Sequence, residues 1–504
     1  MRWRDVPLPV YLCAISGLAM LVPMGYAAAT SDWQSARTFL YFSLAILILS
    51  AVFGLARMNQ AAHGTAIGHL AVLLGAYAGL PILLALPMLV LVPTVTPVVA
   101  YFEMLSALTT TGFTVFDAAE DLSRPLHLWK AIVGWLGGYL IIVGAIAIMA
   151  PLRICGYEIR TLVDGNAGRS LLNQSHLPES TERLLRNMGY VTPVYAAFTI
   201  TVAILLLVAG EDGFEAVCLA LSIMSTSGLT PTSGPVAGQG GGMTELVILI
   251  GMLGAAPSMF FDESRRPSLR SVINDPELKV LAFFAVVLPL ALFVRHWLGA
   301  LEVETDTSLG LALEALWGSI FTVVSMLTTT GYESTYWESA QRWSGLPTPG
   351  LILLALAAVG GGIASTAGGI KLLRIYALYK QGVREIERLV LPSSVAGAGT
   401  VARSIRREGA FIAWLFLMLF LFSLALAMLA LSAMGLPFED SLQLSVAALS
   451  NGGPGYELMS DRPLRIRDLE PVAHLILREA MIVGRLEALA VIALLNPGFW
   501  RRCT

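Results

Sequence analysis

Four short stretches rich in hydroxyl and glycine residues recur along the 504-residue chain: Thr109-Thr110-Thr111-Gly112, Ser225-Thr226-Ser227-Gly228, Thr328-Thr329-Thr330-Gly331 and Ser450-Asn451-Gly452-Gly453. Their closing glycines stand 116, 103 and 122 residues apart. These stretches offer oxygen ligands: main-chain carbonyls, Ser and Thr hydroxyls, and the Asn451 amide. Glycine tolerates positive φ, so successive carbonyls can turn to one side. A ring of such oxygens replaces the hydration shell of a monovalent cation. The candidate filter is therefore Thr110, Thr111 and Gly112; Thr226, Ser227 and Gly228; Thr329, Thr330 and Gly331; and Asn451, Gly452 and Gly453. A single stretch of this kind would read as a loop or a small-residue packing surface. Four in matching surroundings favour convergence on one axis.

Two further features have the residue types of a gate. Gly360-Gly361-Gly362-Ile363-Ala364-Ser365-Thr366-Ala367-Gly368-Gly369 interrupts a long apolar segment. Each glycine disfavours helix by about 1 kcal/mol relative to Ala, and broken helix at membrane depth must line a cavity or be packed in protein. Residues 361, 362 and 364–369 are candidate gate residues, with close helix packing through small side chains as the other reading. Arg485 falls within the last apolar segment, where a charge is functional by default. It either faces the axis, where its charge opposes cation passage, or forms a structural ion pair with Glu487 or Glu479. Arg478, nearer the outer half, reads as structural. Glu333 and Glu457 follow the third and fourth stretches and could draw cations to an outer mouth.

The elements that must position these residues follow from hydropathy. Each stretch is preceded by a moderately apolar segment read as re-entrant: Pro97–Leu108, Gly213–Met224, Leu309–Leu327 and Pro437–Leu449. Apolar segments of about 10–14 residues are re-entrant more often than spanning. Their negative dipole ends would then face the turns and favour a cation. Ten longer apolar segments are predicted to span: 8–29, 37–57, 66–92, 127–151, 190–210, 243–261, 278–298, 347–380, 410–434 and 471–495. Of all residues, 56% are hydrophobic and 13% charged, with mean hydropathy +0.72. A soluble domain carries about 25% charged residues, so the expectation is an all-α integral membrane protein.

With the N-terminus inside and the spans alternating, the cytoplasmic side holds 22 Lys and Arg and the outside 8. That asymmetry places both termini in the cytoplasm. The start Met1-Arg2-Trp3-Arg4, an apolar run and Ala27-Ala28-Ala29 also fit a signal peptide. The run exceeds the usual apolar core of about 7–15 residues, so a retained first helix is expected. The net charge of -3 and pI near 6.1 give no basic patch for nucleic acid. The six histidines and four cysteines show no metal-ligand or disulfide spacing. No Walker-type glycine loop is present, and no catalytic pair of carboxylates or histidines lies within the spans. An enzyme is not expected.

Helix, half-helix, polar turn, helix, four times over, resembles the Trk/Ktr/HKT potassium transporter superfamily. The two extra N-terminal spans resemble its TrkH branch. Trp135-Leu136-Gly137-Gly138, Asp275-Pro276-Glu277, Ser365-Thr366-Ala367-Gly368-Gly369-Ile370-Lys371 and Gly484-Arg485-Leu486-Glu487 carry the resemblance. It implies four pseudo-symmetric M1-P-M2 repeats around one pore, at 61–165, 166–275, 276–395 and 396–504, after two helices in 1–60. It implies K+ as transported substrate at the filter, and no cofactor on this chain. It further implies a homodimer in the bacterial inner membrane, in contact with lipid, and a TrkA-like cytosolic ring that binds the regulatory nucleotide. In that family the Ser-Thr-Ala-Gly-Gly loop gates beneath the filter and the Arg matching Arg485 contacts it. This chain departs at Tyr139, where Met is usual, at Glu333, where a small or hydroxyl residue is usual, and at Asn451-Gly452-Gly453 in place of Asn-Leu-Gly. The last two alter field strength and rigidity, on which K+ over Na+ selectivity depends. An ion-coupled carrier with looser selectivity is the rival, although carriers commonly show two repeats.

Overall fold

The computed structural model describes residues 8–57, 66–116, 121–150, 180–232, 234–237, 240–256, 275–300, 309–344, 350–363, 365–390, 409–460 and 463–487. Ala364, much of the stretches 153–188, 262–279 and 380–409 expected on the cytoplasmic side, and the repeat boundaries expected at 60, 165 and 395 lie outside the described residues. Among those described there is no β-strand.

The helices run in order as α1 Leu8–Ala19, α2 Leu21–Ala29, α3 Trp33–Arg57, α4 Ala66–Leu84, α5 Leu86–Leu91, α6 Pro97–Leu108 and α7 Arg124–Gly144, which continues as a π turn over Ala145–Met149. They go on as α8 Ser180–Ala209, α9 Gly213–Ser225, α10 Gly241–Ala255, α11 Pro276–Ala300, α12 Leu309–Leu327, α13 Trp337–Ser344 and α14 Gly350–Val359. The last are α15 Leu372–Val390, α16 Ala410–Ala433, α17 Phe438–Leu449, α18 Gly455–Met459 and α19 Pro471–Leu486.

Seven helical stretches are long and apolar enough to cross a bilayer: Leu8–Ala29, Trp33–Ala56, Gly68–Leu91, Arg124–Met149, Arg186–Ala209, Pro276–Val294 and Ala410–Ala433. They match seven of the ten expected spans. The other three are shorter among the described residues. One is α10; another is broken into α14 and α15 around the glycine-rich loop; the third, α19, ends at Leu486. Large apolar side chains such as Ile48, Leu55, Phe283, Phe422 and Leu429 stand outward and exposed. A soluble protein does not present so much contiguous apolar surface. The chain is a multi-pass membrane protein.

Polar residues concentrate inside instead. Glu103, Ser106, Ser222, Thr322 and Ser325, on the short helices, are fully buried. Small residues let the surrounding helices close on those short helices. A side chain at Gly137 of α7 would overlap the carbonyl of Leu108, the last residue of α6. One at Gly484 of α19 would overlap the carbonyl of Leu449, the last residue of α17. Gly137 and the glycine before Arg485 thus perform one packing task in two parts of the chain. Trp135 itself donates to Thr199 at 2.9 Å and stacks on Tyr139.

Candidate functional site

The short helices α6, α9, α12 and α17 end alike. Within two residues of each end, a residue adopts a left-handed conformation: Thr110 at φ 54°, Thr226 at 48°, Thr329 at 55° and Asn451 at 53°. In the first turn Thr110 N–H donates to Ala107 and Thr111 N–H to Ser106; in the fourth, Asn451 donates to Ala448 and Gly452 to Ala447. This is the Schellman closure of a helix C-terminus. A β-branched Thr is strained at positive φ, and strain of that kind persists where the surroundings over-determine it. Here the turn hydroxyls brace it. Thr109 and Thr111 lie 2.8 Å apart through their hydroxyls, Thr328 and Thr330 3.0 Å, Ser225 and Ser227 3.0 Å.

Gly112, Gly228 and Gly331 then take φ of 80°, 66° and 77°, and Gly453 does not. The expected equivalence of the four glycines therefore holds for three. Pro454 follows Gly453, which lies in a turn that leads into α18. Gly453 N–H instead donates across to Thr111 O at 2.7 Å.

The four turns meet. A Cβ on Gly112 would overlap Ser227 O, and one on Gly228 would overlap Thr330 O. A Cβ on Gly331 would overlap Gly455 N, and one on Gly453 would lie 2.6 Å from Phe113 N. First touches second, second touches third, third touches fourth, and fourth touches first. The ring is closed. Gly112, Gly228, Gly331 and Gly453 also line the same cavity of ≈ 460 Å³, together with Glu333 and Glu457. Burial, reinforced by the charges of Glu457 and Glu338, raises the Glu333 pKa above the ordinary carboxylate value.

On the opposite side of the ring lies the glycine-rich loop between α14 and α15. It folds back on itself through Ile370 N–H to Ala358 O and Lys371 N–H to Val359 O, both 3.0 Å. Its residues touch three of the four turns. Gly368 N–H donates to Thr329 Oγ1 at 3.0 Å, and Thr226 Oγ1 donates to Thr366 Oγ1 at 3.1 Å. A Cβ on Gly368 would overlap Ser450 O in the fourth turn. Gly361 bonds to Gly368 across the loop, Ser365 donates to Gly362 O at 2.7 Å, and Ala367 O accepts from the Lys371 ammonium. Arg485 Nη1 donates to Thr366 O at 2.5 Å, while its Nε and Nη2 are buried without a hydrogen-bond partner. Glu487, a partner for Arg485 by sequence proximity, pairs instead with Arg374 at 2.7 Å. Arg478 bonds to its own helix at His474 O and lies over the Tyr101 ring.

Sequence reasoning missed several residues of this assembly. Ser106 and Ser325 each donate to the carbonyl after the turn glycine, Phe113 O and Tyr332 O, both at 2.9 Å. A Ser six positions before the glycine in three of the four stretches, at 106, 222 and 325, was the available signal. Glu277 accepts from Ile363 N–H at 2.9 Å and so anchors the loop. Asn451 Nδ2 ties the fourth turn to Thr111 Oγ1 at 2.9 Å and to Met481 O at 3.0 Å. Two buried oxygens of the ring, Thr110 Oγ1 and Asn451 Oδ1, have no hydrogen-bond partner.

Residues 280–497 match the TrkH family model, described as a cation transport protein. The Trk system potassium uptake protein TrkH of Halomonas elongata is 30% identical over 433 residues, covering 85% of this chain and 84% of that one. The chain belongs to the Trk potassium transporter family. The TrkH of Escherichia coli K12 is 30% identical over 412 residues, covering 81% of this chain and 80% of that protein. The crystal structure of the potassium transporter TrkH from Vibrio parahaemolyticus superposes with a TM-score of 0.80 at 25% identity, over 99% of this chain and all of that one. Trk proteins are transporters and not enzymes, and their all-α membrane fold is the fold of this chain.

Proposed function

We propose that this chain takes up K+ through a pore of its own, with the four turns as selectivity filter. The observation that carries the reading is the closed succession of turn contacts, with Thr110 Oγ1 and Asn451 Oδ1 buried and unpartnered in it. An unpaired buried oxygen is destabilising by about 1–3 kcal/mol, and a dehydrated cation removes that penalty. The carbonyls of residues 111–112, 227–228, 330–331 and 452–453 supply further ligands. The loop at 361–369 lies under the filter as a gate, held there by Arg485. Its guanidinium, desolvated and short of acceptors, opposes a cation on the same path.

The family relationship supports K+ as the ion, since the relatives are named potassium uptake proteins. The same relationship and the basic-residue asymmetry support a bacterial inner-membrane location with both termini cytoplasmic. A homodimer with a cytosolic nucleotide-binding ring completes the proposed assembly. The test is Rb+ flux into liposomes containing the purified chain. Flux that K+ competes away and Na+ does not is expected. Flux unaltered by Gly112→Ser and Gly228→Ser removes the filter assignment.

A further inference from the structure

The left-handed residue of each turn places one side-chain oxygen on the ring: Thr110 Oγ1, Thr226 Oγ1, Thr329 Oγ1 and Asn451 Oδ1. All four residues are buried, at 2% exposure or less. Their bonding divides two and two. Thr110 Oγ1 and Asn451 Oδ1 have no partner. Thr226 Oγ1 and Thr329 Oγ1 are engaged, and each by the intramembrane loop: Thr226 with Thr366 Oγ1, and Thr329 with Gly368 N–H. The loop therefore holds half of a set of oxygens whose other half stands ready for a ligand.

We propose that the loop and the permeating cation compete for these oxygens, so that a cation entering the inner end of the filter unseats the gate. The inference rests on the filter reading and adds a regulatory link to it.

The chemistry sets the two states against each other. Thr329 Oγ1 gives one of its two lone pairs to Gly368 N–H, which brings that amide within 3.0 Å of the oxygen an ion would use. The Gly368 amide hydrogen, partial-positive, would also sit against the cation. Thr226 Oγ1 donates to Thr366 Oγ1 and keeps its lone pairs, so the conflict lies at Thr329, where the Gly368 amide must move away from the ion. Losing the Gly368 bond leaves the 366–368 segment attached above through Thr226, through Thr366 Oγ1 to Met224 O at 3.5 Å and through packing on Ser450 O. Below, Arg485 still holds Thr366 O, so the loop is drawn toward α19 rather than set free.

Glycines at 360 and 369 make that movement possible. They take φ of 71° and 80°, where other residues are strained, and bracket the segment as hinges. Gly360 N–H to Leu356 O and Ile370 N–H to Ala358 O fix the loop outside the hinges. Displacement is thereby confined to the residues that touch the filter.

Hydrogen exchange of the loop amides in the purified wild-type chain tests this, with K+, Na+ or N-methylglucamine as the cation. K+ is expected to speed exchange across residues 366–368 by at least about fivefold, the factor one net hydrogen bond supplies. N-methylglucamine, too large for the filter, should leave it slow. Thr329→Val removes the acceptor, so its loop should exchange fast without K+ and respond to K+ weakly. A second reading uses Ser365→Cys, whose modification by a thiol reagent should accelerate with K+ in parallel. Loop exchange that ignores K+ in a protein still passing Rb+ overturns the competition and leaves permeation standing. A chain that neither binds nor passes K+ overturns both.

Discussion

Arg485 Nη1 and Thr366 O lie 2.5 Å apart although 119 positions separate the two residues. The bond joins the last described helix of the bundle to the only described loop that reaches the filter turns from the side opposite the vestibule. Thr366 in turn receives the hydroxyl of Thr226 in the second turn. A charge-assisted bond is worth about 1.5–3 kcal/mol. Arg485→Ala should therefore raise basal Rb+ flux by about tenfold or more, and Arg485→Lys by less, since a positive charge remains. Flux equal to wild type in the Ala variant would remove Arg485 from the gate.

The turn glycines should differ from one another in a defined way. Gly112 has positive φ and no room for a Cβ beside Ser227 O. Gly112→Ser should weaken K+ over Na+ discrimination by about tenfold, equivalent to about 1.4 kcal/mol. At Gly452 a Cβ would meet nothing nearer than Thr329 O at 3.2 Å, and its φ is not positive. That contact is tight but short of overlap, so Gly452→Ala should cost clearly less discrimination and less stability than Gly112→Ser. Competition flux and thermal unfolding in detergent measure both. Equal loss of selectivity at the two positions would contradict the difference in backbone.

Much of this site is legible in the amino-acid order alone. The short helices observed as Pro97–Leu108, Gly213–Ser225, Leu309–Leu327 and Phe438–Leu449 begin and end within one residue of their sequence-based bounds. They are legible because composition changes abruptly at Thr109, Ser225, Thr328 and Ser450, where a helix C-terminus needs partners. The break between α14 and α15 is legible for the same local reason. What pairs over long range is not. Arg374 with Glu487 and Ile363 with Glu277 carry no sequence spacing that marks them. The exception at Gly453, whose φ is not positive, carries no mark in the sequence either.

Arg374 and Glu487 form a buried ion pair at 2.7 Å, with the guanidinium also 3.6 Å from the centre of the Phe416 ring. Removing one partner of a buried pair destabilises by about 3–5 kcal/mol, whereas replacing both with apolar groups is often neutral. Glu487→Leu should lower the Tm clearly, and adding Arg374→Met should recover most of the loss. A double variant no more stable than the single one would show that the pair does not act as a unit.

Glu333 faces the vestibule with its pKa raised by burial first and by Glu457 and Glu338 second. A raised value means that this carboxylate loses its charge at a pH where an exposed Glu is still ionised. Its attraction for cations is present above that pKa and fades as pH falls through it. Uptake at low external K+ should therefore decline on mild acidification, and Glu333→Gln should start lower and decline less. His127, Lys130, Arg465 and Glu457 share the vestibule, and they remain in the variant. An unchanged pH profile in Glu333→Gln would assign the response to one of them.

The most direct measurement is anomalous diffraction from crystals of the chain grown with Rb+ or Tl+ in place of K+. The expected result is a peak on the axis between the carbonyls of Gly112, Gly228, Gly331 and Gly453, absent when the ion is replaced by Li+. Ordered density for the same four turns with no ion between them at high Rb+, or a peak only at a site away from the ring, would contradict the filter.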